Sequence, residues 1–158
     1  MGAYCTAQVC LNGHCIASMA EDSPGLLSKY CGQCGAATIL KCPSCQAGIR
    51  GYFYVPGVIS ISEYHPPSFC FSCGSAFPWT ASRLRAAEDL VDEMDELSDD
   101  EKRTLKQSVA EMTRDTSATE LASVRYKKLL GKAGKGIGTA LNSVTVSVIT
   151  EAAKRLLL

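Results

Sequence analysis

The sequence predicts an α+β chain, with a small β-rich half stapled through its cysteines followed by an α-helical half. Three observations carry this prediction. All nine cysteines, both histidines and all six prolines fall within residues 1–80. Inside that half, Cys31-Gly-Gln-Cys34 and Cys42-Pro-Ser-Cys45 are flanked by Cys10-Leu-Asn-Gly-His14 upstream and Cys70-Phe-Ser-Cys73 downstream. Residues 81–158 contain none of these three residue types and place apolar side chains at helical spacing. A chain of 158 residues has room for a metal-stapled module joined to a helical segment, with the boundary near Pro78-Trp79-Thr80.

Ala3 to Cys10 alternates in character and reads as a short strand entering the first knuckle. Cys5 has no partner at ligand spacing and reads as a spare thiol. Cys10 and His14 supply a thiolate and an imidazole four residues apart, with Asn12-Gly13 forming the turn that lets both face one cation. Cys15 competes with His14 for that place. Ser18 to Lys29 is a solvated connection. The Cys31/Cys34 knuckle follows, and the glycine after its second cysteine allows the backbone to turn its amides toward sulfur, a device that Cys73-Gly74 repeats.

Ala36 to Lys41 reads as a strand joining two knuckles. From Ile49 to Val55 and from Val58 to Ile61 the residues are aromatic and β-branched around Pro56-Gly57, which predicts a hairpin. His65 lies in the return loop and reads as a loop residue, because four cysteines already serve the second site.

Grouping in sequence order gives Cys10, His14, Cys31 and Cys34 for one site and Cys42, Cys45, Cys70 and Cys73 for the other. Four soft or borderline donors with no open position are what a structural Zn²⁺ requires, so two structural zinc ions are expected. Cross-braced pairing is the alternative to sequential pairing. Iron uses the same all-cysteine knuckles and is the rival for the second site. A thioredoxin-type redox motif needs a helix N-terminus beside a βαβ pattern, and none is evident. Catalytic zinc needs an open position and a nearby acid or base, whereas this half holds only Glu21, Asp22 and Glu63.

Met1-Gly2-Ala3 opens without the basic start and apolar stretch of a signal peptide, so the expectation is a reducing cytoplasm, where CxxC pairs bind metal. Gly2 with Thr6 fits the short myristoylation pattern only loosely. Charge is distributed unevenly: residues 1–80 are balanced, 81–120 carry six basic and twelve acidic residues, and 121–158 carry seven basic and one acidic. Two zinc ions on seven thiolates would take the first half from about 0 to roughly −3. That is a poor match for nucleic acid.

The Cys10-x-x-Gly13-His14 turn and the Tyr30-Cys31-x-x-Cys34-Gly35 and Cys70-x-x-Cys73-Gly74 knuckles resemble bacterial zinc ribbons. Together with Cys42-Pro43-x-Cys45, Ile49-Arg50-Gly51-Tyr52 and Pro78-Trp79-Thr80 before an acidic helix, the pattern resembles a family of uncharacterised bacterial double-zinc-ribbon proteins. The resemblance implies a fold and a metal, and no activity.

In the helical half, Thr80 reads as an N-cap and Trp79 as the residue that packs the first helix on the ribbon. Leu84, Ala87, Val91 and Met94 predict an amphipathic helix to about residue 96 with an acidic outer face. Capping boxes at Ser98-Asp-Asp-Glu101 and Ser117-Ala-Thr-Glu120 start two more helices, completing a segment over 81–130. Residues 131–138 read as a glycine-rich hinge; they lack the ending of a phosphate loop. Residues 139–158 predict an apolar C-terminal helix, too often interrupted by polar residues to span a membrane, although Val144 to Val148 also permits a strand. Its wide apolar arc requires burial against the other helices, self-association, a partner protein or a membrane surface.

The function expected is therefore a non-enzymatic zinc-binding interaction module, with residues 81–158 associating with another copy or a protein partner. The alternatives are a nucleic-acid-binding ribbon with a basic C-terminal arm, and an enzyme with an unrecognised site.

Overall fold

A computed structural model describes residues 1–59 and 61–158 and divides them into two units, Met1–Thr80 and Ala81–Leu158. In the first unit, strand β1 (Ala3–Thr6) pairs antiparallel with β5 (Arg50–Tyr54), Ala3 opposite Tyr54 and Tyr4 opposite Phe53, with an irregularity at Cys5. Strand β2 (Gln8–Cys10) lies between β3 (Cys15–Ala17) and β4 (Thr38–Ile39), again antiparallel. The single opening strand expected is thus two. The chain changes sheets at buried Ala7, whose amide donates to the Ile49 carbonyl at 2.8 Å. Likewise, the strand expected over 36–41 shrinks to its two central residues.

The expected hairpin around Pro56-Gly57 is half right. Gly57 makes the turn at φ 78°, with the Val58 amide 3.2 Å from the Val55 carbonyl. Beyond it, Val58, Ile59 and Ile61 form no strand and are exposed, while Ser60 lies outside the described residues. The reason is that β5 has other partners: β1 takes one edge, and on the other side the Tyr52 amide donates to the Ser18 carbonyl. Gly51 permits this crowding. A Cβ there would overlap the Ser18 carbonyl oxygen and stand 3.0 Å from that of Cys5.

The first unit's core is small: Ala7, Val9, Cys42, Ile49, Cys70, Phe77 and Trp79, bordered by Ile39, Ala47 and Tyr64. Phe77 and Trp79 stack with centroids 4.6 Å apart, and Trp79 Nε1 donates to the Pro67 carbonyl. Trp79 is therefore a core residue of the first unit. Nor is Thr80 an N-cap. Helix α1 (Pro78–Asp92) begins at proline, which has no N–H to leave unpaired, and the Thr80 hydroxyl donates to the Ser68 carbonyl at 2.8 Å.

Four further helices make the second unit: α2 (Asp99–Met112), α3 (Thr119–Leu130), α4 (Lys135–Val146) and α5 (Glu151–Leu157). Helix α1 stops short of the expected end, and Lys102 Nζ donates to its Asp92 carbonyl. The Ser98/Glu101 capping box forms in full. The one expected at Ser117 does not, because Thr119 uses its hydroxyl to accept from the Thr116 amide and donate to the Arg114 carbonyl, which leaves Ala118 at the N-cap.

The glycine-rich stretch read as a hinge is in part helix, since Gly134 caps α4 and residues 135–138 form its first turn. The expected single tail helix divides at Ser147–Thr150. There the Thr150 hydroxyl caps α5 and its amide donates to the Met112 carbonyl. Most of the tail's apolar arc is spent inside the unit: Leu141, Val148, Ile149 and Ala153 join Val91, Met94, Leu105, Val109, Met112 and Tyr126 in one core, while Leu156 stays exposed. Among the described residues, no helix is long and apolar enough to cross a membrane.

Candidate metal centres

Three segments of the first unit fold into the same turn. At Cys31, Cys42 and Cys70 the cysteine amide donates to the carbonyl five residues on, each at 2.8 Å. Each of these cysteine carbonyls in turn accepts from the amide four residues on, at 2.8–2.9 Å. A β-bridge closes each loop: Tyr30 to Ala37, Lys41 to Gly48, Phe69 to Ala76. The residue after the second cysteine is left-handed in all three, at φ 73° for Gly35, 63° for Gln46 and 72° for Gly74. Glycine adopts this conformation freely, whereas a side chain there costs about 1 kcal/mol. The knuckle geometry is thus strong enough to impose it on Gln46. In each loop the first cysteine is buried and the second exposed.

The fourth segment is tighter. Gly13 at φ 89° turns the chain between β2 and β3, its amide donating to the Cys10 carbonyl and the Cys10 amide to that of His14. This aims the His14 ring back at the Cys10 sulfur.

The side chains converge as two groups of four, Cys10/His14/Cys31/Cys34 and Cys42/Cys45/Cys70/Cys73, with all donor atoms of a group within 4.8 Å of one another. The donors therefore meet in sequence order, with no cross-bracing. Cys15 lies in β3 and Cys5 in β1, both half-buried and outside the groups, and His65 lies in its loop, outside them too.

The spacing within each group tests whether a metal fits. Zn–S bonds of about 2.3 Å and a Zn–N bond of about 2.05 Å at tetrahedral angles place two sulfurs about 3.8 Å apart and sulfur and nitrogen about 3.5 Å apart. The sulfurs of Cys10 and Cys34 are 3.8 Å apart, those of Cys42 and Cys73 3.8 Å, and those of Cys45 and Cys70 3.7 Å. His14 Nδ1 is 3.5 Å from the Cys10 sulfur and 3.6 Å from that of Cys31. A disulfide would bring two sulfurs to about 2.05 Å, and all nine cysteines are free. The two groups are sized and chemically suited to hold one tetrahedral ion each.

Amides and nearby side chains point at several of the sulfurs. The His14 amide points at the Cys10 sulfur at 3.2 Å, the Gln33 amide at Cys31 at 3.4 Å, and Asn12 Nδ2 at Cys34 at 3.3 Å. Donors from the Ala36 amide and Asn12 lower the Cys34 thiol to about 6, and the hydroxyl and amide of Ser75 do the same for Cys73, also to about 6. Thiolate is the ligand form, so these donors favour binding at Cys34 and Cys73; burial pushes the Cys10 thiol up, and despite the Ala47 amide, burial and the neighbouring sulfurs push that of Cys45 up to about 11. Sequence reading missed Asn12 as a sulfur donor and Gln46 as the third left-handed position. Aligning the three knuckles on their cysteines would have found Gln46.

Residues 3–157 match the family described as "Uncharacterized protein conserved in bacteria (DUF2321)". No curated protein matches the chain, and no solved structure does.

Proposed function

The chain belongs to this bacterial family, and on that premise we propose that it is a non-enzymatic zinc-binding scaffold. Two structural Zn²⁺ ions hold residues 1–80 as a double zinc ribbon, and the helical half associates with another copy of the chain or a protein partner. The observation that carries this reading is the pair of four-donor groups at tetrahedral spacing. Four protein donors leave no coordination position for water or substrate, and neither group includes a carboxylate. Zinc bound there supplies cross-linking free energy, on the order of 10 kcal/mol per site, and no reaction. The residues of the chain do the rest: three left-handed knuckles and the Gly13 turn fix the donors, and amides face the sulfurs.

The surface of α3 supports the association reading. Leu121 and Val124 are 52% and 59% exposed on the same helix face as Arg125 and Lys128. Among the described residues Arg125, Lys127 and Lys128 form no ion pair, nor do Glu88 and Asp89 on α1 and Glu93 just after it. Unpaired basic and acidic helix faces of one chain complement each other between copies, with the apolar pair supplying the contact that excludes water. Most of the tail's apolar arc lies in the core, leaving Leu156 and Leu158 exposed at its end, so α3 offers the apolar stripe flanked by charge.

Light scattering of the full chain tests this. The expected result is a mass above the monomer that falls at high salt and in Leu121→Glu/Val124→Glu. A full chain that stays monomeric, alone and at every salt concentration, removes self-association and leaves a different protein as the only partner for the stripe.

A further inference from the structure

Arg50 is the single arginine of residues 1–80 and stands on β5 opposite Thr6. Beside it the strands fall out of step, so that Gly51 and Tyr52 together face Cys5. Two residues against one form a bulge, and a bulge re-aims side chains. Three positions apart, Arg50 and Phe53 would otherwise point to opposite faces of the strand, whereas here both reach the Tyr4 ring. The Phe53 and Tyr4 ring centroids are 4.9 Å apart, and the Arg50 guanidinium carbon is 4.6 Å from the Tyr4 centroid. The same carbon is 4.0 Å from the ring centroid of Phe71, which follows Cys70 in the third knuckle. Tyr4, Phe53 and Phe71 are all exposed. Next to them lies a cleft of about 150 Å³, lined by Arg50, Pro67, Phe69, Phe71 and the buried Phe77.

The guanidinium is held without being paired. Among the described residues it forms no ion pair and no hydrogen bond. Rings packed on it exclude water from its faces and leave its N–H donors along the edge of the plane, where a carboxylate is bound by two parallel hydrogen bonds. Apart from Arg50 the cleft is apolar, and a cavity of about this volume holds one benzene-sized group. A ligand that satisfies both features carries an anion beside an aromatic side chain. Residues 1–80 hold three acidic residues against three Lys or Arg, so their field does nothing to gather a polyanion such as nucleic acid. The exposed Tyr4 and Phe53 rings continue the surface past the cleft, farther than a small free acid would cover.

We propose that this cleft binds an acidic peptide segment of a partner protein. An aromatic side chain of the peptide enters between Pro67, Phe69 and Phe77, and a carboxylate next to it in the peptide is clamped by Arg50. Tyr4 and Phe71 keep the guanidinium in position, and the composition of the surface, aromatic rings around one arginine, is that of an interface hot spot. The site is separate from the stripe on α3 and does not depend on association through it.

The test is an NMR titration of the full chain, as purified, with acetyl-Phe-Asp-amide and acetyl-Asp-Phe-amide. Acetate, benzyl alcohol, phenylpropionate and phenyl phosphate are the comparisons. At least one dipeptide should bind with a millimolar Kd and shift the signals of Arg50, Phe71 and Phe77. It should bind about tenfold more tightly than acetate or benzyl alcohol, each of which fills half of the site. Arg50→Lys keeps the charge but loses the planar fork, and should weaken the dipeptide about tenfold. Phe71→Leu removes one of the two rings and should weaken it too, which carries the test if Arg50→Lys loses the native dispersion. The proposal is overturned if neither dipeptide shifts these residues, or if affinity is unchanged in a folded Arg50→Lys or Phe71→Leu chain. Tighter binding of phenylpropionate than of both dipeptides would make this a site for small acids, and tighter binding of phenyl phosphate a phosphate site; either result overturns the peptide reading.

Discussion

The two units reach order by different routes. The first buries seven residues in its core, two of them cysteines of the four-donor groups, and its strands are five residues or shorter. The second buries fourteen apolar residues in one cluster, drawn from the chain between Ala87 and Ala153. At about 1.5–3 kcal/mol for each fully buried large apolar side chain, the helical core can offset the entropy of its own ordering in a way the smaller core cannot. Under the proposed zinc reading, metal dependence belongs to the first unit, whose small core needs the cross-links of its donors, and not to the helices.

The heaviest consequence follows directly. Chelating zinc from the full chain should collapse the NMR dispersion of residues 1–77 while the signals of α2 to α5 stay where they are. If both units keep their dispersion, the division of labour is wrong.

Next come substitutions that should strike one unit only. Gly51→Ala forces a methyl group into the Ser18 carbonyl and should cost the first unit about 3 kcal/mol or more, lowering zinc retention against a competing chelator. Leu141→Ala empties a fully buried position among the helices and should cost about 2–5 kcal/mol in helical melting with zinc stoichiometry unchanged. A crossed result, with Leu141→Ala losing zinc or Gly51→Ala melting the helices, would mean the units are not separable. A milder change refines the contrast: Ser98→Ala removes one half of the α2 capping box and should cost about 1 kcal/mol, read by circular dichroism.

The cysteine-rich unit and the helices were also legible to different degrees. Donor spacing is written in the sequence, and the eight residues it nominates converge in two groups. Helix existence followed from periodicity at Leu84, Ala87, Val91 and Met94 and from the capping box at Ser98. What escaped the sequence were choices settled by tertiary partners. Val58 to Ile61 has strand character, but β1 and Ser18 already occupy the edges of β5. Thr80 and Ser117 look like caps, yet Ser68 draws the Thr80 hydroxyl away, and Thr119 rather than Ser117 serves the backbone before α3. The glycines at 134–138 suggest freedom, and the tail suggests one long helix. The fold instead starts a helix on Gly134 and breaks it before Thr150, because that placement puts Leu141, Val148 and Ile149 into the core.

On the proposed reading, the first unit's order depends on each four-donor group holding one zinc. Native mass spectrometry of the full chain purified without added metal is the decisive measurement. Two zinc ions per chain and nine free thiols after denaturation in chelator are the predicted result. A chain with no zinc, or one whose knuckle cysteines emerge as disulfides, would contradict it.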